Sequence, residues 1–235
     1  MVRRSLLALA VVALSAVAAS AEEKQLFNGN VLTGWHGRKD LWSVQDGAIT
    51  GQTLADKPIK NNTFLVWDGE VSDFELTFKY RIVAGNSGMQ DRSKVASESE
   101  ETGPIVGGYQ ADFEAGKTYS GINYEERGRG ILALRGEKTK LTADPADKNK
   151  MVKTVVGKTD KTSEELQATI KNEDWNEYRI VAKGNKLQHF INGHMTSEVT
   201  DEHAEKSNKS GKLALQLHVG PAMIVQIKDV ILKTE

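Results

Sequence analysis

The sequence predicts an all-β protein, a two-sheet antiparallel sandwich of jelly-roll type. Three observations carry this. Apolar and polar residues alternate with period 2 in many short runs, the signature of half-buried strands. The runs recur at roughly 8–12 residue spacing between turn-forming dipeptides, as sandwiches and barrels require. One short segment alone carries a helix-start signal.

The elements follow in chain order. Arg3 and Arg4, an apolar run over residues 6–18 and the small residues Ala19-Ser20-Ala21 read as a secretory signal peptide over residues 1–21. The run is shorter than the ~20 residues a spanning helix needs, and no later segment is apolar enough to cross a membrane. Its removal leaves 214 residues (235 less 21) and takes the formal charge from −1 to −3, because Arg3 and Arg4 go with it. We therefore expect a secreted or periplasmic protein with a single jelly-roll domain over residues 22–235. There are no cysteines, which excludes disulfides, thiolate chemistry and Cys-ligated zinc. No basic patch interleaved with aromatics occurs, so no nucleic-acid partner is expected.

Trp42-Ser43-Val44-Gln45 and Ala48-Ile49-Thr50 flank Asp46-Gly47, a hairpin signal. Phe74, Leu76, Phe78 and Tyr80 alternate with Glu75, Thr77, Lys79 and Arg81 in one strand. Residues 178–183 and 187–191 are expected to pair across Gly184-Asn185, and Asn192-Gly193 then turns the chain into residues 195–199. Residues 213–219 and 224–232 supply the last two strands. Residues 136–172, rich in Lys, Thr and Asp, read as an irregular insertion outside the strand framework. Its one helical hint is a capping box, Thr162 with Glu165, ahead of residues 166–170. Residues 94–103 read as a shorter polar loop.

Four polar constellations fall within these strand patterns. In Gly85-Asn86-Ser87-Gly88-Met89-Gln90-Asp91-Arg92, alternation gives Asn86, Gly88, Gln90 and Arg92 one face, or the segment is a turn before an edge strand. In Tyr109-Gln110-Ala111-Asp112-Phe113, Gln110 and Asp112 share the face opposite the aromatics, as a structural pair or as the wall of a cleft. A carboxylate there must be solvated, paired or used. In Tyr124-Glu125-Glu126-Arg127-Gly128-Arg129-Gly130, adjacent carboxylates point to opposite sides, so one at most faces a cleft easily. The alternative is a charged surface turn. In Leu215-Gln216-Leu217-His218-Val219, Gln216 and His218 share a face. No phosphate loop, zinc-ligand spacing or nucleophile elbow is present, and Asn61-Asn62-Thr63 is a glycosylation sequon of little weight.

Read together with Leu26-Phe27-Asn28-Gly29, Leu32-Thr33-Gly34-Trp35, Asp174-Trp175-Asn176-Glu177-Tyr178 and Ile191-Asn192-Gly193, these motifs resemble the 3-keto-disaccharide hydrolase family over residues 25–233. The resemblance implies a concanavalin/laminarinase-type jelly roll with a sugar site on a concave sheet. It also implies cleavage of glycosides oxidised at C3: the ketone acidifies the C2 proton, a base removes it, the C1 substituent leaves, and water adds back. Such a site needs one base, a donor for the enediolate oxygen and an acid for the leaving group, not the paired carboxylates of ordinary glycosidases.

Matched position by position, the resemblance brings forward His218, Glu126, Asp112 and Arg129 as catalytic candidates. Gln90, Arg92, Gln110 and Gln216 are brought forward in the same way as substrate contacts, and Asn86 and Tyr124, which lie within the resembling motifs, are expected to join them. Either Glu126 or His218 takes the C2 proton and Arg129 or Arg92 steadies the enediolate. A histidine titrates near ~6.5, which favours His218 as base with Glu126 as donor or sugar ligand. The expected partner is a glycoside or oligosaccharide. No cofactor is required, while a divalent ion and the oligomeric state are left open. The competing expectation is a non-catalytic carbohydrate-binding module, since jelly rolls host both. An aromatic content of 6% and the ionisable groups of the cleft favour the enzyme.

Overall fold

The computed structural model describes residues 22–234, so the signal peptide read at residues 1–21 lies outside the described residues. The chain opens with β1 (Glu22–Gln25), β2 (Trp35–His36), β3 (Trp42–Gln45), β4 (Ala48–Gln52), β5 (Thr63–Trp67) and β6 (Phe74–Val83). A long hairpin follows, β7 (Asn86–Ser99) and β8 (Gly103–Glu114), then β9 (Asn123–Glu126), β10 (Gly130–Ala133), β11 (Glu137–Ala143) and β12 (Met151–Lys158). Helix α1 (Ser163–Ala168) leads into β13 (Asn176–Lys183), β14 (Lys186–Ile191), β15 (His194–Asp201), β16 (Lys212–Leu217) and β17 (Ile224–Thr234).

These strands form two sheets. The ten-stranded sheet runs β12-β11-β15-β14-β13-β6-β17-β4-β3, with β1 also paired to β17; the seven-stranded sheet runs β10-β9-β8-β7-β16-β5-β2. The pairing is antiparallel except between β11 and β15. The protein is therefore the all-β, two-sheet jelly-roll sandwich that its alternation predicts.

The core lies between the inner faces. Phe74, Leu76, Phe78, Tyr80 and Ile82 of β6 meet Tyr109, Ala111 and Phe113 of β8 and Leu213, Leu215 and Leu217 of β16. Tyr80 and Phe113 touch across the sandwich with ring centroids 4.4 Å apart, and Phe78 stacks on Tyr178 at 5.5 Å. Each such side chain contributes about 1.5–3 kcal/mol by leaving water. Asp46 (φ 49°) and Gly47 (φ 72°), then Asn192 (φ 49°) and Gly193 (φ 82°), make turns with both central residues left-handed, as tight hairpins demand.

Two expectations are corrected. Residues 136–172 are not outside the strand framework: β11 pairs with β15 and carries β12 on its far side. Only Thr139 and Leu141 of β11 are buried, and most of β12 is exposed. An edge strand with so little inward face leaves almost no alternation to read. Lys153 and Lys158 within it blunt further edge pairing. Residues 94–103 are not a loop either, because β7 and β8 continue as a ladder to Ser99 and Gly103. Register shifts between Asp91 and Lys94 and between Val95 and Ser97 interrupt the alternation there. The Thr162–Glu165 capping box does start α1, which seats the buried Leu166.

Candidate functional site

The outer face of the seven-stranded sheet carries the site. Alternation along β8 sends Tyr109, Ala111 and Phe113 into the core, and so turns Gln110 and Asp112 outward beside Gln90 of β7. A cleft of about 490 Å³ opens over them. Its walls are Asn86, Gln110, Asp112, Glu114, Tyr124, Glu126 and His218, with Asn62, Tyr119, Ile122 and Ile131 at the margins.

The floor is a chain of side-chain hydrogen bonds. Gln90 Nε2 donates to Gln110 Oε1 at 2.8 Å, and Gln110 Nε2 donates to Asp112 Oδ1 at 2.6 Å. Gly88 makes room for this chain, since a Cβ there would fall 2.5 Å from Gln110 Cγ. Burial pushes the Asp112 carboxyl up to about 8, helped by the neighbouring Glu126 and Glu114 and opposed by its hydrogen bond from Gln110. Burial thus favours the protonated form of Asp112.

His218 follows the last residue of β16 and faces the same cleft as Asp112. Its Nδ1 lies 2.5 Å from the Val219 carbonyl oxygen, which accepts only, so Nδ1 is the donor and Nε2 is the nitrogen left for the cleft. Glu126 Oε1 accepts from Asn62 Nδ2 at 3.0 Å and Oε2 from Gln216 Nε2 at 3.3 Å. Asn62 Oδ1 in turn accepts from Val219 N at 2.9 Å, tying the His218 segment to Glu126. Burial, with Glu126 and Asp112 nearby, raises the Tyr124 phenol, which keeps it a neutral donor.

The structure brings His218, Glu126, Asp112, Gln110, Asn86 and Tyr124 to one cleft, with Gln90 and Gln216 buried beneath it. It does not bring the two arginines. Arg92 takes φ 46° at the β7 register shift, which breaks the alternation assumed for it. Its buried guanidinium donates to Ser72 O at 2.6 Å, Gly184 O at 2.7 Å and Asp73 Oδ1 at 2.8 Å. Arg129 is enclosed by Glu125 and Asp201, each 2.6 Å away, and Tyr109 donates to the same Asp201. Both arginines hold strands together rather than facing the cleft. Sequence reasoning passed over Asn62, which lies in a sequon, and Glu114, whose Oε1 accepts from Thr118 N and Tyr119 N to shape the loop carrying Tyr119. No cluster of three or more His, Asp or Glu able to hold a metal ion occurs among the described residues.

Fold and cleft together define a jelly-roll sandwich with a polar cleft, lined by carboxyl groups and a histidine, on one sheet. The chain belongs to the 3-keto-alpha-glucoside-1,2-lyase-like family, whose domain model matches residues 22–233, in agreement with the resemblance read from the motifs. A candidate glycosyl hydrolase from Parabacteroides distasonis has a similar structure at 18% identity, with a TM-score of 0.55 over 90% of this chain and 93% of that one. A Bacillus subtilis protein of unknown function with a galectin-like fold gives a TM-score of 0.59 at 11% identity, covering 91% and 96%. A Bacillus licheniformis beta-glucanase gives 0.51 at 9% identity, covering 93% and 100%. These likenesses establish the fold. No curated protein matches the sequence.

Proposed function

We propose that the protein cleaves 3-keto-glycosides at the outer cleft of the seven-stranded sheet, by elimination followed by hydration. The observation that carries this reading is that the buried Asp112 carboxyl and the His218 ring, its Nδ1 engaged by the Val219 carbonyl, line one cleft. The base is His218, whose Nε2 takes the C2 proton made acidic by the adjacent ketone. The electron pair passes to the C3 oxygen, giving an enediolate. The Tyr124 hydroxyl donates to that oxygen in place of the arginines expected from sequence. As the pair returns, the C1–O bond breaks and Asp112 gives its proton to the departing oxygen. Water then adds at C1 and a proton returns to C2, so the sum is hydrolysis. Glu126, with both oxygens already accepting amide hydrogens, is a ligand for a sugar hydroxyl rather than the donor. The exposed Tyr119 ring at the cleft margin suits stacking on a sugar face. The leader pattern at residues 1–21 supports action outside the cytoplasm.

The test is sugar release from a 3-keto-disaccharide and from its unoxidised parent. The keto sugar alone is cleaved, and His218→Ala and Asp112→Asn each lower turnover by roughly 10²–10⁴-fold with modest loss of binding. Binding of both sugars without cleavage of either returns the protein to the carbohydrate-binding modules.

A further inference from the structure

The cleft described above does not end at Glu126. A second cavity of about 370 Å³ lies on its far side, and Glu126 and Asn62 line both. The bond from Asn62 Nδ2 to Glu126 Oε1 therefore forms a ridge between two chambers. Their chemistry differs. Asp112, Glu114 and Glu126 line the first chamber, and no lysine or arginine does. Lys60 and Arg127 line the second, where Glu126 supplies the one carboxylate. Lys60 lies 3.7 Å from Glu101 at the surface. The guanidinium of Arg127 has no hydrogen bond or ion pair among the described residues. Its stem crosses Gly107, where a Cβ would meet Arg127 Cβ at 3.3 Å, so the missing side chain leaves the arginine its place.

We propose that the second cavity is the leaving-group subsite and that Arg127 selects a leaving group bearing a carboxylate, such as a uronic acid. This inference rests on the reaction proposed for the first chamber. The cavity across the Asn62–Glu126 ridge adjoins the chamber of Asp112 and His218 and can take the C1 substituent of a sugar held there. A neutral keto sugar suits the acidic chamber, and a negative charge suits the unpaired guanidinium beyond it. Asn61, Ser97 and Thr102 supply the hydroxyl and amide partners that a sugar needs.

The experiment compares two 3-keto-disaccharides that differ only in the second sugar, a uronic acid or its neutral counterpart. The parent enzyme favours the acidic substrate by about tenfold in kcat/KM, chiefly through KM, as one charge-assisted contact gives. Arg127→Ala abolishes the preference and Arg127→Lys retains part of it. Equal turnover of the two substrates by the parent, or a preference that survives in Arg127→Ala, overturns the proposal. If the parent cleaves neither, the reaction assigned to the first chamber fails. The subsite is then read from calorimetric binding of the two unoxidised disaccharides. Roughly tenfold weaker binding of the acidic one to Arg127→Ala supports the subsite, and unchanged binding overturns it.

Discussion

Gln110 donates its amide hydrogen to Asp112 Oδ1 at 2.6 Å while accepting one from Gln90 at 2.8 Å. The relay fixes which way the Asp112 carboxyl points and opposes the upward push that burial gives it. Gln110, steadied by Gln90, thus moderates the acid strength that burial gives Asp112.

The pH dependence of kcat/KM follows from that acid. Asp112 must be protonated to serve the leaving group, so activity is lost as pH rises through about 8. Gln110→Met removes a hydrogen bond that favours the carboxylate, which raises the Asp112 value and moves the alkaline limb upward. A pH–rate profile of the two proteins checks this. An unmoved or lowered limb dissociates Asp112 from the alkaline fall.

Gly88→Ala tests the room left for the relay. The new methyl group falls 2.5 Å from Gln110 Cγ, and Gln110 is held at both ends, so the amide must leave Asp112. Turnover falls on the order of 10²-fold, the usual cost of a misplaced catalytic group. Binding of the unoxidised sugar changes little. Turnover equal to the parent's shows that the relay is dispensable.

Asp91 points the other way along β7, into the sandwich, with neither carboxyl oxygen hydrogen-bonded within the described residues. Burial raises it from 3.8 to about 7. The folded state therefore keeps a proton that the unfolded chain has released, and this contribution is present below pH 4 and lost as pH rises to 7. Asp91→Asn removes the effect. Relative to the parent, the variant gains up to about 4 kcal/mol between pH 4 and 7 and nothing further above it. Urea unfolding over that range measures the slope; a constant difference contradicts the assignment.

Arg129→Met leaves Glu125 and Asp201 buried without their cation. Removal of one partner from such a group costs about 3–5 kcal/mol. Chemical denaturation will show the loss. A variant as stable as the parent but without activity puts Arg129 back into the chemistry.

The sequence by itself determined the sandwich, because alternation and turn chemistry are local. Phe74 to Tyr80 show their buried face in the residue pattern, Asp46-Gly47 and Asn192-Gly193 specify their turns, and Thr162 with Glu165 starts helix α1. The outward face shared by Gln110 and Asp112 was legible for the same reason. The tertiary structure decided what depends on distant partners. Arg129 finds Asp201 across 72 residues, and Asn62 finds Glu126 across 64. Arg92 leaves the predicted face because a register shift in β7 and a left-handed φ redirect it. Strand β11 joins the sheet because β15 offers it an edge, although its own residues show little alternation. A local pattern records which side of a strand must be dry. Which charge meets which, and which edge is free, is set only when the two sheets close over their core.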